Sequence, residues 1–465
     1  MGRVLGMKNL IIRLQQVEIK NFKNVEYGIV QFQSYLDKKY FMPKAEILGL
    51  YGQNGSGKTT LVDAMQILQL VLQGESLPKN SEEYIFKGQN SANLSFVFSI
   101  ERFAKHMLVY YSFTLGRDSD KVIITEESLG VSEFESEKKK SKKTIIKYEI
   151  ANKGKIFSPI HCYNEIVKAS EENSVNLAVA KKMAKLNATS FIFGSEGFDI
   201  FTNYFTSREY VMIIEGLMTF SRVHLFVINH RNSGLISTNF TLPFTFKIEE
   251  ENSIKKGTIG VDLTQPEVVP KDVFEIVSSI IPQMNLVLMS LIPGFTVGIK
   301  NYGAQLTDAG EEGIKIELMS TRNDIQIPLR CESEGIKKIV SILSSVIAMY
   351  NDSRVCIVID ELDAGIFEYL LGEILAVLES NGKGQLIFTS HNLRALEKLR
   401  ADSILFTTTN PRNRYIHFMN VKNSNNLRSL YLRNLNLGGQ KECLYDETNT
   451  YEIRRAFRLA GKVER

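Results

Sequence analysis

At 465 residues the chain exceeds one ordinary domain and favours two or three lobes. An apolar share of 44% and a charged share of 23% describe an ordinary globular protein, and a net charge of +4 gives no bulk signal for nucleic acid. Four dispersed cysteines with no C-x-x-C pair argue against a zinc or disulfide framework, and no run is expected to reach the roughly 18 apolar residues of a membrane span, so a cytoplasmic protein without membrane contact is expected.

Residues 14–20 alternate as a strand, Asn21-Phe22-Lys23-Asn24 turns it, and residues 25–32 read as its hairpin partner. Residues 47–51 are a short apolar strand that feeds Gly52, Gln53, Asn54, Gly55, Ser56, Gly57, Lys58, Thr59 and Thr60. Gly52, Gly57, Lys58 and Thr59 satisfy the G-x-x-x-x-G-K-[ST] pattern of a phosphate-binding loop. Glycines let successive N–H groups converge on phosphate oxygens; Lys58 adds a point charge and the Thr59 hydroxyl is a Mg²⁺ ligand. Residues 59–73 carry a helical apolar stripe, which aims a helix N-terminus at the anion.

Residues 74–90 read as irregular, and 92–103, 107–115 and 122–129 as strands of an antiparallel subdomain. A lysine block with interspersed glutamates over 132–147 reads as a solvated hairpin tip, with nucleic-acid contact as the rarer alternative. Helices are expected over 169–186 and 198–220, as an arm inserted between the halves of the core. A strand over 223–228 ends in the polar turn His230–Gly234, a ligand contact or a plain surface turn. A helix comes next over 271–289, interrupted at Pro282, and then strands over 295–300, 314–320 and 325–328.

Four later features bear on the class. Glu332-Ser333-Glu334-Gly335 heads an apolar helix, and Ser333 and Gly335 suit a helix N-terminus that offers a hydroxyl and bare N–H groups to an anion. Residues 355–359 form a continuous apolar strand that ends in Asp360 and Glu361. Such a strand is buried in a parallel sheet, with its C-terminal end at the ligand. Asp360 is placed to hold Mg²⁺ and Glu361 to act as general base on water. Asp363 comes directly after. Residues 385–389 make another buried strand, and His391 at its end, 30 residues past Glu361, can reach the γ-phosphate and the attacking water.

That order resembles the ATP-binding cassette ATPases of the SMC, RecF and OLD-like branch. Residues 17–23, 52–60, 111–115 with 126–129, 332–338, 357–365, 389–392 and the tail 451–457 carry the likeness. Length and tail look most like the stand-alone bacterial ATPases of anti-phage systems such as PARIS, Septu and the abortive-infection L system. The resemblance implies an α/β fold, an ABC-type P-loop ATPase head with a mixed β-sheet core and an antiparallel β subdomain, carrying an inserted mainly helical arm. The implied divisions are 9–130 for the first half of the head, 131–267 for the arm, 268–410 for the second half and 411–465 for a basic tail closing on the head.

The same resemblance implies ATP and Mg²⁺ as cofactors, Asp363 as the D-loop residue and His391 as the switch histidine. It implies that Ser333 and Gly335 close on the γ-phosphate of the opposite protomer in a head-to-tail dimer. The signature reads Ser-Glu-Gly where many relatives have Ser-Gly-Gly, and no glutamine suits the Q-loop, since Gln89 and Glu126 are poorly placed. The implied role is a sensor or scaffold that restrains a partner nuclease or toxin during anti-phage defence. The alternative is a RecF- or SMC-like repair or chromosome-maintenance ATPase that contacts DNA through its basic tail, Arg412 to Lys462. A transporter ATPase fits the hairpin start and the long insert poorly.

Overall fold

Strand β1 (Leu10–Phe22) doubles back at Lys23-Asn24 into β2 (Val25–Gln31). A short helix α1 (Gln33–Leu36) leads to β3 (Glu46–Tyr51), which is buried from Ile47 onward. A strand hidden on both faces belongs in the middle of a parallel sheet. After helix α2 (Lys58–Gln73) come β4 (Ser91–Arg102), β5 (Lys105–Asp118), β6 (Lys121–Glu135), β7 (Lys138–Lys139), β8 (Lys143–Glu149) and β9 (Phe157–Ser158). With β1 and β2 these make an eight-stranded sheet of order β2-β1-β4-β5-β6-β8-β9, with β7 paired to β6. The computed structural model describes all residues except 1–9, 42–43, 103–104, 119–120, 136–137, 153, 230–240, 250–253, 308, 419–425, 438–440, 446–447 and 462–465. The polar turn at His230–Gly234, Lys422 and Lys462 therefore lie outside the described residues.

Helices α3 (Ile160–Ala169), α4 (Asn173–Asn187), α5 (Ser195–Tyr204) and α6 (Arg208–Thr219) precede β10 (Leu225–Ile228). The expected inserted region over 131–267 does carry four consecutive helices, and it is anchored at both ends. Strands β8 and β9 extend the first sheet, β10 enters the second, and the helices lie on the first sheet. Phe191, Phe193, Phe201 and Phe220 are buried in one core with Phe96, Phe98 and Tyr111. Glu127 on β6 pins the segment: its carboxylate accepts from Tyr111 Oη (2.6 Å), Ser190 Oγ (2.5 Å) and the N–H of Phe191 (2.8 Å). The helix expected over 198–220 breaks at 205–207, where Ser207 caps α6 by accepting from Tyr210 N–H.

The chain continues through the hairpin β11 (Thr241–Glu249) and β12 (Ile254–Asp262), then β13 (Glu267–Pro270), α7 (Lys271–Leu291), β14 (Phe295–Leu306), β15 (Glu312–Arg322) and β16 (Ile325–Pro328). Strands β13 to β16 form a small antiparallel sheet. By length and composition α7 is apolar enough to cross a membrane, contrary to the sequence expectation. Its Val277, Ile280, Met284 and Leu288 are buried in the second core, and Pro282 does not end it.

The last third supplies α8 (Glu334–Asn351), β17 (Cys356–Ile359), α9 (Glu368–Asn381), β18 (Gln385–Thr389), β19 (Ile404–Thr407), β20 (Tyr415–Ile416), α10 (Leu427–Leu437) and α11 (Thr450–Ala460). The second sheet has the order β10-β17-β18-β3-β19-β20, parallel except for β20. Buried Arg13 stitches the two sheets, donating to Glu46 Oε2 (2.8 Å) and to the carbonyls of Lys44 (2.7 Å) and Lys383 (2.7 Å). Strands β3, β17 and β18 run parallel and end side by side, so the segments leaving their C-terminal ends meet in one cleft.

Candidate active site

Gly57 closes the loop after β3 in a left-handed conformation (φ 94°), which a side chain resists, and α2 starts at the next residue. The Lys58 ammonium is buried and donates to the carbonyls of Gly52 (2.7 Å) and Gln53 (2.9 Å). Desolvation lowers its pKa, against the smaller upward pull of Asp360, Glu361 and Asp363. Ser56 Oγ donates to Gln53 O (2.7 Å) and meets Thr407 of β19. Loop, lysine and helix N-terminus line a polar cleft of about 600 Å³ with Asn54, Gly55, Thr59, Thr60, Asp360, Glu361 and His391.

Across the cleft, Asp360 is 1% exposed. Its Oδ1 accepts from Thr389 Oγ1 (2.6 Å) and lies 3.5 Å from Thr59 Oγ1. Its Oδ2 is buried and has no hydrogen-bond partner among the described residues. An orphaned carboxylate oxygen beside a threonine hydroxyl at the foot of a phosphate loop is a donor set that fits a hard, oxygen-seeking cation such as Mg²⁺. Glu361 takes a left-handed backbone (φ 50°), its N–H donating to Thr389 Oγ1 (2.8 Å), and it lines the cleft. Left-handed backbone at a non-glycine residue is costly and tends to mark working sites. His391 also lines the cleft; burial and the Lys58 charge lower its pKa. Its N–H donates to Asp363 Oδ2 (3.0 Å), so Asp363 braces the histidine turn without lining the cleft itself.

Ser333 and Gly335 are not among the residues lining this cleft. Ser333 is the exposed N-cap of α8, accepting from Ile336 N–H, and Gly335 is buried against the turn after Asp363. A Cβ on Gly335 would stand 1.9 Å from Gly365 O, so only glycine lets the two backbones touch.

Several site residues escape sequence reasoning. Asn24, in the hairpin turn, donates to Gly55 O (2.5 Å) and accepts from Thr60 Oγ1 (2.6 Å). Tyr415 donates to Gly57 O (2.8 Å), and Arg414 to the carbonyls of Thr408 (2.6 Å) and Asn24 (2.7 Å). No local pattern announces them, because each is recruited from a distant stretch. Lys338 had a weak signal, its place in the signature helix. It is 3% exposed, and burial pushes its ammonium down to about 8 despite the opposing pull of Asp360, Glu361 and Asp363. Gln89 and Glu126 do not line the cleft; Glu83 and Lys87 do.

A family model described as an AAA ATPase domain matches residues 13–394. No curated protein matches the chain. Among solved structures, the chain is similar to the Smc head domain of Pyrococcus furiosus, with an extended coiled coil and bound to the C-terminal domain of ScpA. The TM-score is 0.38 at 13% identity, covering 87% of this chain and 96% of that one. The SMC head domain from Thermotoga maritima gives 0.37 at 13% identity over 87% and 99%. The recombination mediator protein RecF gives 0.35 at 11% identity over 87% and 98%.

Proposed function

The chain belongs to the AAA ATPase domain family and is an ATPase, and on that premise we propose that two copies complete each hydrolysis site and use the ATP cycle to hold or release a protein partner. One observation carries this reading. The Ser333–Gly335 turn, built as a capped helix N-terminus, lies outside the chain's own cleft and faces solvent at Ser333. Free N–H groups at a helix start suit a phosphate, and a head-to-tail second copy brings them to one.

Within one cleft the loop N–H groups and Lys58 bind and orient the triphosphate. Thr59 and Asp360 would hold Mg²⁺, which supplies charge neutralisation at the β and γ phosphates. Glu361 accepts a proton from the attacking water, and His391, whose imidazolium burial and Lys58 disfavour, hydrogen-bonds beside it. Asp363 holds the His391 turn in register.

The partner we propose is an effector, a nuclease or toxin, restrained by a cytoplasmic ATPase that senses phage infection. Helix α11 supports a docking role: it buries no residue, and Ile453 and Phe457 stand 44% and 77% exposed on one face. A second reading, direct action on DNA in repair, is favoured by the exposed Arg454, Arg455 and Arg458 on the same helix. Steep loss of duplex affinity with salt, abolished when these arginines become alanine, would move that reading ahead.

The decisive experiment compares ATP turnover and native mass for wild type, Lys58→Ala and Glu361→Gln, with and without the neighbouring gene's product. Both variants should lose turnover, Glu361→Gln by about 10²- to 10⁴-fold. With ATP, Glu361→Gln should accumulate as an even-numbered assembly that retains the partner. A monomeric Glu361→Gln with bound ATP would sink the shared-site reading.

A further inference from the structure

At the end of β1 remote from the cleft, three separated stretches converge into one aromatic surface. Tyr35 and Tyr40 approach at 5.7 Å between ring centroids, and Tyr40 and Phe134 at 5.5 Å. Phe41 meets Phe134 edge-on at 5.3 Å and stacks on His106 at 4.2 Å. Tyr110 carries two ammonium groups over its ring, Lys139 at 5.3 Å and Lys142 at 4.7 Å. All six rings are only half-buried. A satellite core that merely pinned the β7 tongue would be expected to hide these faces from water, and this one leaves them partly wet.

Charge is arranged with the rings. Lys38 and Lys39 sit on the turn between Tyr35 and Tyr40, and Lys138, Lys139 and Lys142 on the tongue beside Phe134, all exposed. The nearby carboxylates have other partners: Glu135 with Lys140 (3.0 Å), Glu133 with Lys143 (3.2 Å), Glu101 with His106 (3.6 Å), and Asp37, which accepts from Gln33 Nε2 (2.8 Å). Lys38, Lys39, Lys138 and Lys142 make no ion pair with these or other carboxylates among the described residues. Ammonium groups free of carboxylates around partly exposed rings are the combination that binds unpaired nucleotides, with phosphates on the lysines and bases on the rings. Lysine offers point charges without a base-reading fork, so such binding is indifferent to sequence. A duplex hides its base faces and uses only the charges.

We propose that this surface binds single-stranded nucleic acid. It is separate from the ATP cleft, since Tyr110 pairs with Val97 and Val97 with Gln16, which leaves about 20 Å of β1 before Phe22 and Lys23 at the cleft's border.

The test uses the full-length protein and fluorescent 20-mers of deoxythymidine and of uridine, read by anisotropy at several salt concentrations. Binding of at least one 20-mer, tighter than binding of a duplex of the same length, is expected; a deoxyuridine 20-mer, matched in base to the uridine one, then names the preferred sugar. Lys38→Glu with Lys39→Glu should weaken binding at least 10-fold and flatten the salt slope. Tyr40→Leu should weaken it several-fold with the slope unchanged, which a purely electrostatic surface would not show. Arg454, Arg455 and Arg458 changed to alanine should leave it intact, and ATP turnover should be unaltered in all of them. The proposal is overturned if neither 20-mer binds, if the duplex binds as tightly, or if only the α11 variant loses affinity. None of these outcomes bears on whether two copies share an ATP site.

Discussion

The Thr389 hydroxyl donates to Asp360 Oδ1 at 2.6 Å and accepts the Glu361 N–H at 2.8 Å, so one side chain of β18 fixes both acidic residues that follow β17. Removing the hydroxyl while keeping the shape, as in Thr389→Val, frees the Asp360 carboxylate to turn and leaves the Glu361 N–H without its acceptor. Turnover should fall on the order of 10- to 100-fold, the usual cost of losing a positioning partner behind a ligand. A Mg²⁺ titration of turnover checks it: the half-saturating concentration should rise in the variant, and an unchanged value would refute the positioning role.

Lys338 gives a pH signature. Its pKa falls from 10.5 unfolded to about 8 folded, so between those values the unfolded chain binds more protons and stability rises with pH. The burden of the buried charge is fully present below pH 8 and gone above 10.5. Lys338→Met should therefore be stabilised relative to wild type at pH 7, by as much as about 3 kcal/mol, with the difference shrinking toward pH 10. Denaturant midpoints of both proteins across that range are the measurement.

His391 should titrate below its usual value of 6.5 in nucleotide-free protein, because burial and Lys58 both disfavour the imidazolium. Replacing Lys58 by methionine removes one of the two causes, so the His391 pKa should move up. Ring-proton chemical shifts against pH in the two proteins decide the matter; an unmoved pKa would mean that the lysine does not face the histidine.

Glu127 is fully buried with Tyr111, Ser190 and two backbone N–H groups all donating to it. Glu127→Ala strands these donors and opens a cavity, and should cost about 3 kcal/mol or more. Because the pin joins β6 to the 190–193 turn, protease cleavage between 150 and 220 should accelerate more than cleavage in α8. Uniform acceleration would mean that the helical segment and the sheet unfold as one.

What the sequence disclosed was whatever is written contiguously. Gly52 to Thr60, the Asp360-Glu361 strand end and His391 each combine a strand with its own ligand-facing end, and these three do meet in one cleft. The glycine at 335 was legible as a helix start, yet its contact with Gly365 is a matter of backbone approach that no side-chain pattern encodes. How the region 131–267 attaches to the first sheet was hidden for a related reason. Its lysine block is conspicuous, while the phenylalanines that bind it to the sheet are spread from Phe157 to Phe220 and carry no period. Asn24 and Tyr415 complete the phosphate loop from opposite ends of the chain, 391 residues apart.

The position of β3 has a consequence for how the protein is made. Its two neighbours in the sheet are β18 and β19, which leave the ribosome more than 300 residues after it does. Until then the nascent chain carries an apolar strand and a phosphate loop with neither wall in place, while β1, β4, β5 and β6 can already pair with one another. Competence to engage nucleotide thus arrives late and all at once. A polypeptide truncated between Phe220 and Gln385 keeps every strand of its first sheet and still lacks both walls of the strand that feeds the phosphate loop.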